Sequence, residues 1–170
     1  MSTLSHRQLS QRQRQELMGE LKGLKRFCLS LAGSEADADD LLQGTVERLL
    51  ERGIPGDAHT ARWAYRVCKN FWIDELRSRE VRTRYANNVA HTGEALETSP
   101  SAEVQSEGER TLAAVNDALM RLPEEQRMAL TLVAVEGKSY AEAAEILEVP
   151  IGTIMSRIAR ARKQLLPVVD

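Results

Sequence analysis

Apolar residues recur at helical spacing in successive blocks, and the residues between blocks are those that start and stop helices. Leu17, Leu21, Leu24, Cys28 and Leu31 form one stripe, which predicts a long helix from about Gln11 to Ala32 with Gly33 placed to end it. Ser34 caps the next. That second helix runs to about Arg52, with Leu41, Leu42, Thr45, Val46 and Leu49 inward and Glu35, Asp37, Asp39 and Asp40 near the positive end of its dipole. Gly53 closes it before the loop IPGDAHT, whose Pro55–Gly56 pair marks a turn. A third helix is expected from about Thr60 to Arg79 or beyond, packing through Ala64, Val67, Cys68, Phe71 and Leu76. Periodicity then dissolves from about Ala86 to Gly108 into a polar, acidic stretch containing Glu94, Glu97, Glu103 and Glu107. It resumes with Leu112, Val115, Leu119 and Leu122; Pro123 opens a further helix through Glu136, and Gly137 ends it.

The pattern predicts an all-α chain of two small helical domains joined by a flexible acidic linker. A disordered polar tail is expected over 1–10, the first domain over 11–85, the linker over 86–108 and the second domain over 109–170. With 170 residues, 42% of them hydrophobic and 28% charged, the chain can supply two small cores and keep a soluble surface. No apolar run approaches the roughly 20 residues of a membrane span, and the N-terminus lacks the apolar stretch of a signal peptide, so a cytoplasmic location without membrane insertion is expected. Cys28 and Cys68 fall on inward positions with no metal-ligand spacing to His6, His59 or His91, which suits buried free thiols and no metal.

The last block, Ser139 to Leu166, has the pattern of a helix-turn-helix. Ser139 and Glu142 form an S-x-x-E capping box, so a helix starts at about Tyr140, with Ala143, Ala144 and Leu147 on a narrow apolar side. The turn falls around Glu148 and Val149, and Pro150 suits the first turn of the second helix. There Ile154, Ile158, Ala161 and Leu165 face inward, leaving Thr153, Ser156, Arg157, Arg160 and Lys163 outward. From Pro150 to Leu166 there are four cations and no acid, although the whole chain carries a formal charge of -2. Electrostatic attraction fades over about 8 to 10 Å, so distant acids scarcely cancel this local charge. A basic helix alone is ordinary solvated surface; after a capped helix and tight turn it suits DNA.

The third helix mixes Arg62, Arg66, Lys69, Arg77 and Arg79 with Trp63, Tyr65, Phe71 and Trp72, a combination that can stack unpaired bases and hold their backbone. Packing explains Phe71 better, whereas Trp63 suits stacking and packing equally. Two basic faces on one tether imply DNA contact at two separated places.

In three ordered blocks the chain resembles bacterial RNA polymerase sigma factors of the extracytoplasmic-function group, in the sigma-70 family. DADDLLQGTVERLL (Asp37–Leu50) is similar to the segment that docks on the polymerase clamp, ARWAYRVCKNFWIDELRSR (Ala61–Arg79) to the segment that reads the melted promoter element, and Leu122–Leu165 to the family's fourth region. The resemblance implies a promoter-specificity subunit, without cofactor or catalysis, that joins core RNA polymerase and promoter DNA as duplex and melted strand. An anti-sigma factor commonly controls such proteins. By matching positions, Asp40, Gln43 and Arg48 would meet polymerase. Trp63, Lys69, Asn70 and Arg77 would meet the downstream (-10) element, with the loop Ile54 to Thr60 holding an extruded base. Thr153, Ser156, Arg157, Arg160 and Lys163 would meet the upstream (-35) element, with Arg157 suited to a guanine and Arg160 and Lys163 to phosphates. Asp74 is expected to pair with a neighbouring arginine.

Three positions depart from the family's pattern: Gly44 stands where an acid is usual, Glu148 where glycine is frequent, and Met155 where a basic residue is frequent. A helix-turn-helix regulator that does not join polymerase would leave the Asp37–Leu50 block and the aromatic-basic helix unexplained. A helical adaptor that binds no DNA is a further alternative. An enzyme fits least, because there is no phosphate loop, nucleophile motif or convergent acid–base set.

Overall fold

The computed structural model describes residues 8–89 and 107–169, and these are helical almost throughout. The N-terminal half contains α1 (Gln11–Ala32), α2 (Glu35–Arg52) and α3 (Thr60–Val89). The C-terminal half contains α4 (Glu107–Arg121), α5 (Glu124–Leu130), a π-helical turn (Thr131–Val135), α6 (Tyr140–Leu147) and α7 (Ile151–Val169). The expected linker, 86–108, lies outside the described residues except at its flanks, where α3 runs on to Val89 and α4 begins at Glu107. Residues 1–7 of the expected tail also lie outside them. The tail's last residues are ordered: Leu9 is buried, and Ser10 with Gln13 forms a complete capping box that starts α1.

The helix ends follow from local chemistry. Gly33 ends α1 in the left-handed conformation (φ 83°), and Ser34 then accepts the Asp37 amide to start α2. Ser139 starts α6 by accepting the Glu142 amide at 3.1 Å. The expected reciprocal bond differs: the Ser139 hydroxyl donates to the Glu142 carboxylate at 3.3 Å. The helix expected from Pro123 to Glu136 is interrupted, since α5 widens into the π-helical turn, where the Glu136 amide reaches the Thr131 carbonyl at 2.9 Å.

The inward stripes bury as their spacing requires. Leu17, Leu24, Cys28 and Leu31 of α1, Leu41, Thr45 and Leu49 of α2, and Ile154, Ile158 and Ala161 of α7 are all buried. Side chains outside the expected stripes join them, notably Phe27, Tyr65, Trp72 and Ile146. Phe27 meets Tyr65 edge to face, with centroids 5.4 Å apart. Cys28 and Cys68 are free buried thiols with Sγ atoms 3.5 Å apart, and their mutual hydrogen bond and burial push the Cys28 pKa up. Both halves contribute to one continuous core, α1 packing against α4 and α5 while α3 packs against α6. No helix among the described residues is long and apolar enough to cross a membrane.

Candidate nucleic-acid interface

In α7 the inward residues leave an outer face on which Ser156, Arg160 and Lys163 are exposed and Thr153 is half-buried. The Ser156 hydroxyl donates to the Gly152 carbonyl one turn back at 3.1 Å. Arg157 is turned toward α5, where it pairs with Glu125 at 3.6 Å and keeps 19% of its side-chain exposure. Met155 lies exposed on the same helix, an apolar spot amid the cations. The five residues expected to read the upstream element therefore share one helix surface, with Arg157 at its shielded edge.

The α3 candidates are less uniform. Trp63, Asn70 and Arg77 recur every seven residues and so lie along one side of α3; Asn70 and Arg77 are exposed, Trp63 half-buried. Trp63 lines a cavity of about 270 Å³ together with Asp57, Ala58, His59, Arg62 and Arg66, and Glu145 of the C-terminal half closes it. The Arg66 guanidinium lies 5.8 Å from the Trp63 ring centroid. Tyr65 and Trp72 belong to the core and present no face for stacking.

Lys69 is only 8% exposed by side chain, because the C-terminal half covers it. Its ammonium lies 3.3 Å from Glu148, which also approaches Arg66 at 3.6 Å. Arg62 bonds Glu145 at 2.9 Å, and Arg66 donates to the Glu145 backbone carbonyl at 2.9 Å. Arg62, Arg66 and Lys69 fall at i, i+4 and i+7, a row that the sequence offers but that gains meaning only once α6 lies across it. Burial alone would raise the pKa of Glu148, yet Lys69, Asn70 and Arg66 outweigh it and hold the carboxyl below its ordinary range.

Glu148 itself occupies the left-handed region at φ 57° and ψ 46°. A side chain there costs about 1 to 2 kcal/mol relative to glycine, so this position is strained for glutamate.

The α2 set also divides. Asp40 and Gln43 are exposed, while Arg48 lies over the Phe71 ring at 4.2 Å and pairs with Asp74 at 3.7 Å. Asp74 thus has the arginine partner expected of it. Gly44 has a steric reason: a Cβ there would come within 2.7 Å of Phe71 Cζ, so the glycine makes room for the ring under Arg48. Among the described residues no cluster of His, Cys, Asp and Glu has the arrangement of a metal site.

Two family models divide the chain at the helices just described. The sigma-70 region 2 model matches residues 18–82, and the sigma-70 region 4 model matches residues 112–165. The chain belongs to the sigma-70 family, as an extracytoplasmic-function (ECF) sigma factor. The ECF RNA polymerase sigma factor EcfG of Rhodopseudomonas palustris strain TIE-1 is 33% identical over 155 residues, covering 89% of this chain and 82% of the relative. The ECF RNA polymerase sigma factor SigM of Mycobacterium tuberculosis is 37% identical over 146 residues, 84% of this chain and 69% of the relative. In structure, the sigma factor RpoE of Bartonella quintana, solved with the anti-sigma factor NepR, superposes with a TM-score of 0.72 at 26% identity, covering 94% of this chain and 98% of that one.

Sigma factors bind core RNA polymerase and direct initiation at promoters, so this chain is a DNA-recognition subunit and not an enzyme.

Proposed function

We propose that this sigma factor divides its work by residue in the following way. Thr153, Ser156, Arg157, Arg160 and Lys163 of α7 meet the upstream element as duplex, with Arg157 bidentate to a guanine. Trp63, Lys69, Asn70 and Arg77 of α3 meet the melted downstream element. Asp40, Gln43 and Arg48 of α2 seat on core polymerase, and Arg48 does so from its position over Phe71. The units that carry these roles are 11–85 and 109–170, tethered through 86–108.

The observation that carries the reading is the half-exposed Trp63 ring flanked by Arg62 and Arg66. An aromatic face beside two guanidinium groups suits an unpaired base and its phosphate, and base stacking worth about 1 to 3 kcal/mol offsets the cost of unstacking. The exposure of Asn70 and Arg77 on the same side of α3 supports a strand continuing along that helix.

An anti-sigma factor is proposed as a regulatory partner, since the Bartonella RpoE chain that matches nearly the whole of this one was solved with such a protein bound. Work with polymerase assigns the chain to the cytoplasm.

The test is binding of the purified chain to sigma-free core polymerase, with a primary sigma factor as competitor, followed by promoter complexes. Arg157→Ala is expected to weaken promoter recognition and leave core binding intact, and the pair Asp40→Ala and Gln43→Ala to do the reverse. Equal effects of both on core binding would defeat the division.

A further inference from the structure

Most charged contacts between the halves have one sign. Four acids of the C-terminal half meet polar or cationic side chains of the N-terminal half. Glu124 accepts from the Trp72 indole N–H. Glu136 takes a bidentate pair of bonds from Arg26 at 2.8 and 3.0 Å and a third from the Tyr65 hydroxyl at 3.2 Å. Glu145 meets Arg62, and Glu148 meets Lys69 and Arg66. One pair runs the other way, Lys138 to Glu20 at 3.7 Å.

Shape supports the same contact. Gly23 of α1 is buried where a Cβ would come within 2.4 Å of the Tyr65 hydroxyl and 2.6 Å of a Glu136 carboxylate oxygen, so glycine there permits the approach. The cavity beside Trp63 has Glu145 as a wall, although Glu145 belongs to the other half. The groove lined by Lys69, Ile73 and Arg77 on one side is completed by Glu125, Val149 and Arg157 on the other. Closure thus engages Arg62, Arg66 and Lys69 of α3, whereas Arg157 of α7 pairs within its own half.

We propose that Glu145 and Glu148 form an intramolecular latch, their carboxylates standing on α3 where DNA phosphates would stand, so that the free chain holds its downstream-element face shut. This inference rests on the reading of α3 as that face. Glu148 is the telling residue, because it keeps a side chain in a left-handed conformation that glycine would adopt without strain. Its carboxylate reaches Lys69 and Arg66 from that position and no residue without a side chain can. Opening the latch frees Arg62, Arg66 and Lys69 together, and a single strand of DNA then competes with Glu145 and Glu148 for the same cations.

The test uses the full chain and the double variant Glu145→Gln/Glu148→Gly. Replacing Glu148 with glycine relieves backbone strain, so a loss of closure cannot be assigned to a damaged turn; circular dichroism should show undiminished helix content. Small-angle scattering reads the closure, and a fluorescent mixed-sequence single-stranded DNA 20-mer reads the exposed face. The wild-type chain should scatter as a compact particle and the variant as an expanded one. If the closed form outnumbers the open one by about ten to one, the variant should bind the 20-mer about tenfold more tightly.

A variant as compact as the wild type, or a wild type already expanded, overturns the latch and leaves the downstream-element reading standing. Tighter binding without expansion also overturns it, since removal of negative charge would then explain the gain. Expansion without tighter binding overturns it as a mask. Asn70→Ala added to the open variant tests the underlying reading separately: unchanged affinity for the 20-mer would remove the assignment of α3 itself.

Discussion

Two basic helices of this chain meet solvent differently. On α7, Arg160 and Lys163 stand free of the rest of the molecule's surface and Arg157 is drawn aside only by Glu125 of its own half. On α3, Arg62, Arg66 and Lys69 are matched by acids from the opposite half, and Lys69 is nearly inaccessible. The lesson is that cation content measures what a helix can bind, whereas the distribution of acids across the fold decides when it can bind. A helix that packs against its own half, as α7 does on α4, α5 and α6, keeps its outer charge available. A helix that also serves as the floor of an interface does not.

The contrast can be broken from the closed side with the largest effect. The Glu136 side chain is only 3% exposed and depends on Arg26 for its countercharge. Arg26→Ala leaves that carboxylate with the Tyr65 hydroxyl and with water at the site of the half-exposed guanidinium, and is expected to destabilise the folded chain by about 2 kcal/mol, read as a lowered denaturant midpoint. An unchanged midpoint would mean that the halves are not held at this point in solution. On the open side, Arg157→Ala is expected to cost about 2 kcal/mol of discrimination at one upstream base pair, measured by competition between promoter duplexes, with core polymerase binding unaltered.

A smaller change tests the α2–α3 junction. Gly44→Glu places a side chain against Phe71 and should displace that ring from beneath Arg48. Overpacking costs about 1 to 3 kcal/mol and the gain in helix propensity returns about 1, so a net loss of about 1 kcal/mol is expected in chemical denaturation. No loss would show that Phe71 moves freely.

The smallest effect is the response to acid. The carboxyl of Glu148 is held below its ordinary value of 4.5 when Lys69, Asn70 and Arg66 surround it. The closed state is therefore stabilised by the ionised form: the contribution is whole above the ordinary glutamate range and disappears as pH falls through the lowered value. Scattering at descending pH should show expansion in that acid window, and Glu148→Gly should flatten the response.

Helix boundaries were largely legible in the sequence because they depend on neighbours three or four residues away. Ser34, Ser139, Gly33 and Gly53 cap or end helices where their spacing predicts, and the inward stripes of α1, α2 and α7 bury as expected. The candidate site was legible as residue types in order: basic and aromatic groups on α3, polar and basic groups on α7. The π-helical turn Thr131–Val135 was not, since no glycine or proline marks it. Nor was the division of aromatics, in which Tyr65 and Trp72 enter the core while Trp63 stays half-exposed.

Periodicity, capping and short motifs are local, so most helices, the family and the chemistry carried on each helix can be read along the chain. Which of those charges are available depends on the packing of helices far apart along the chain. Glu148 and Lys69 are 79 positions apart, as Arg62 and Glu145 are 83 and Arg26 and Glu136 are 110. Pairing at such separations leaves no periodic trace, and it is set by how α6 and the π-helical turn lie against α1 and α3. Even Gly44, a departure along the chain, has its reason in a ring on another helix.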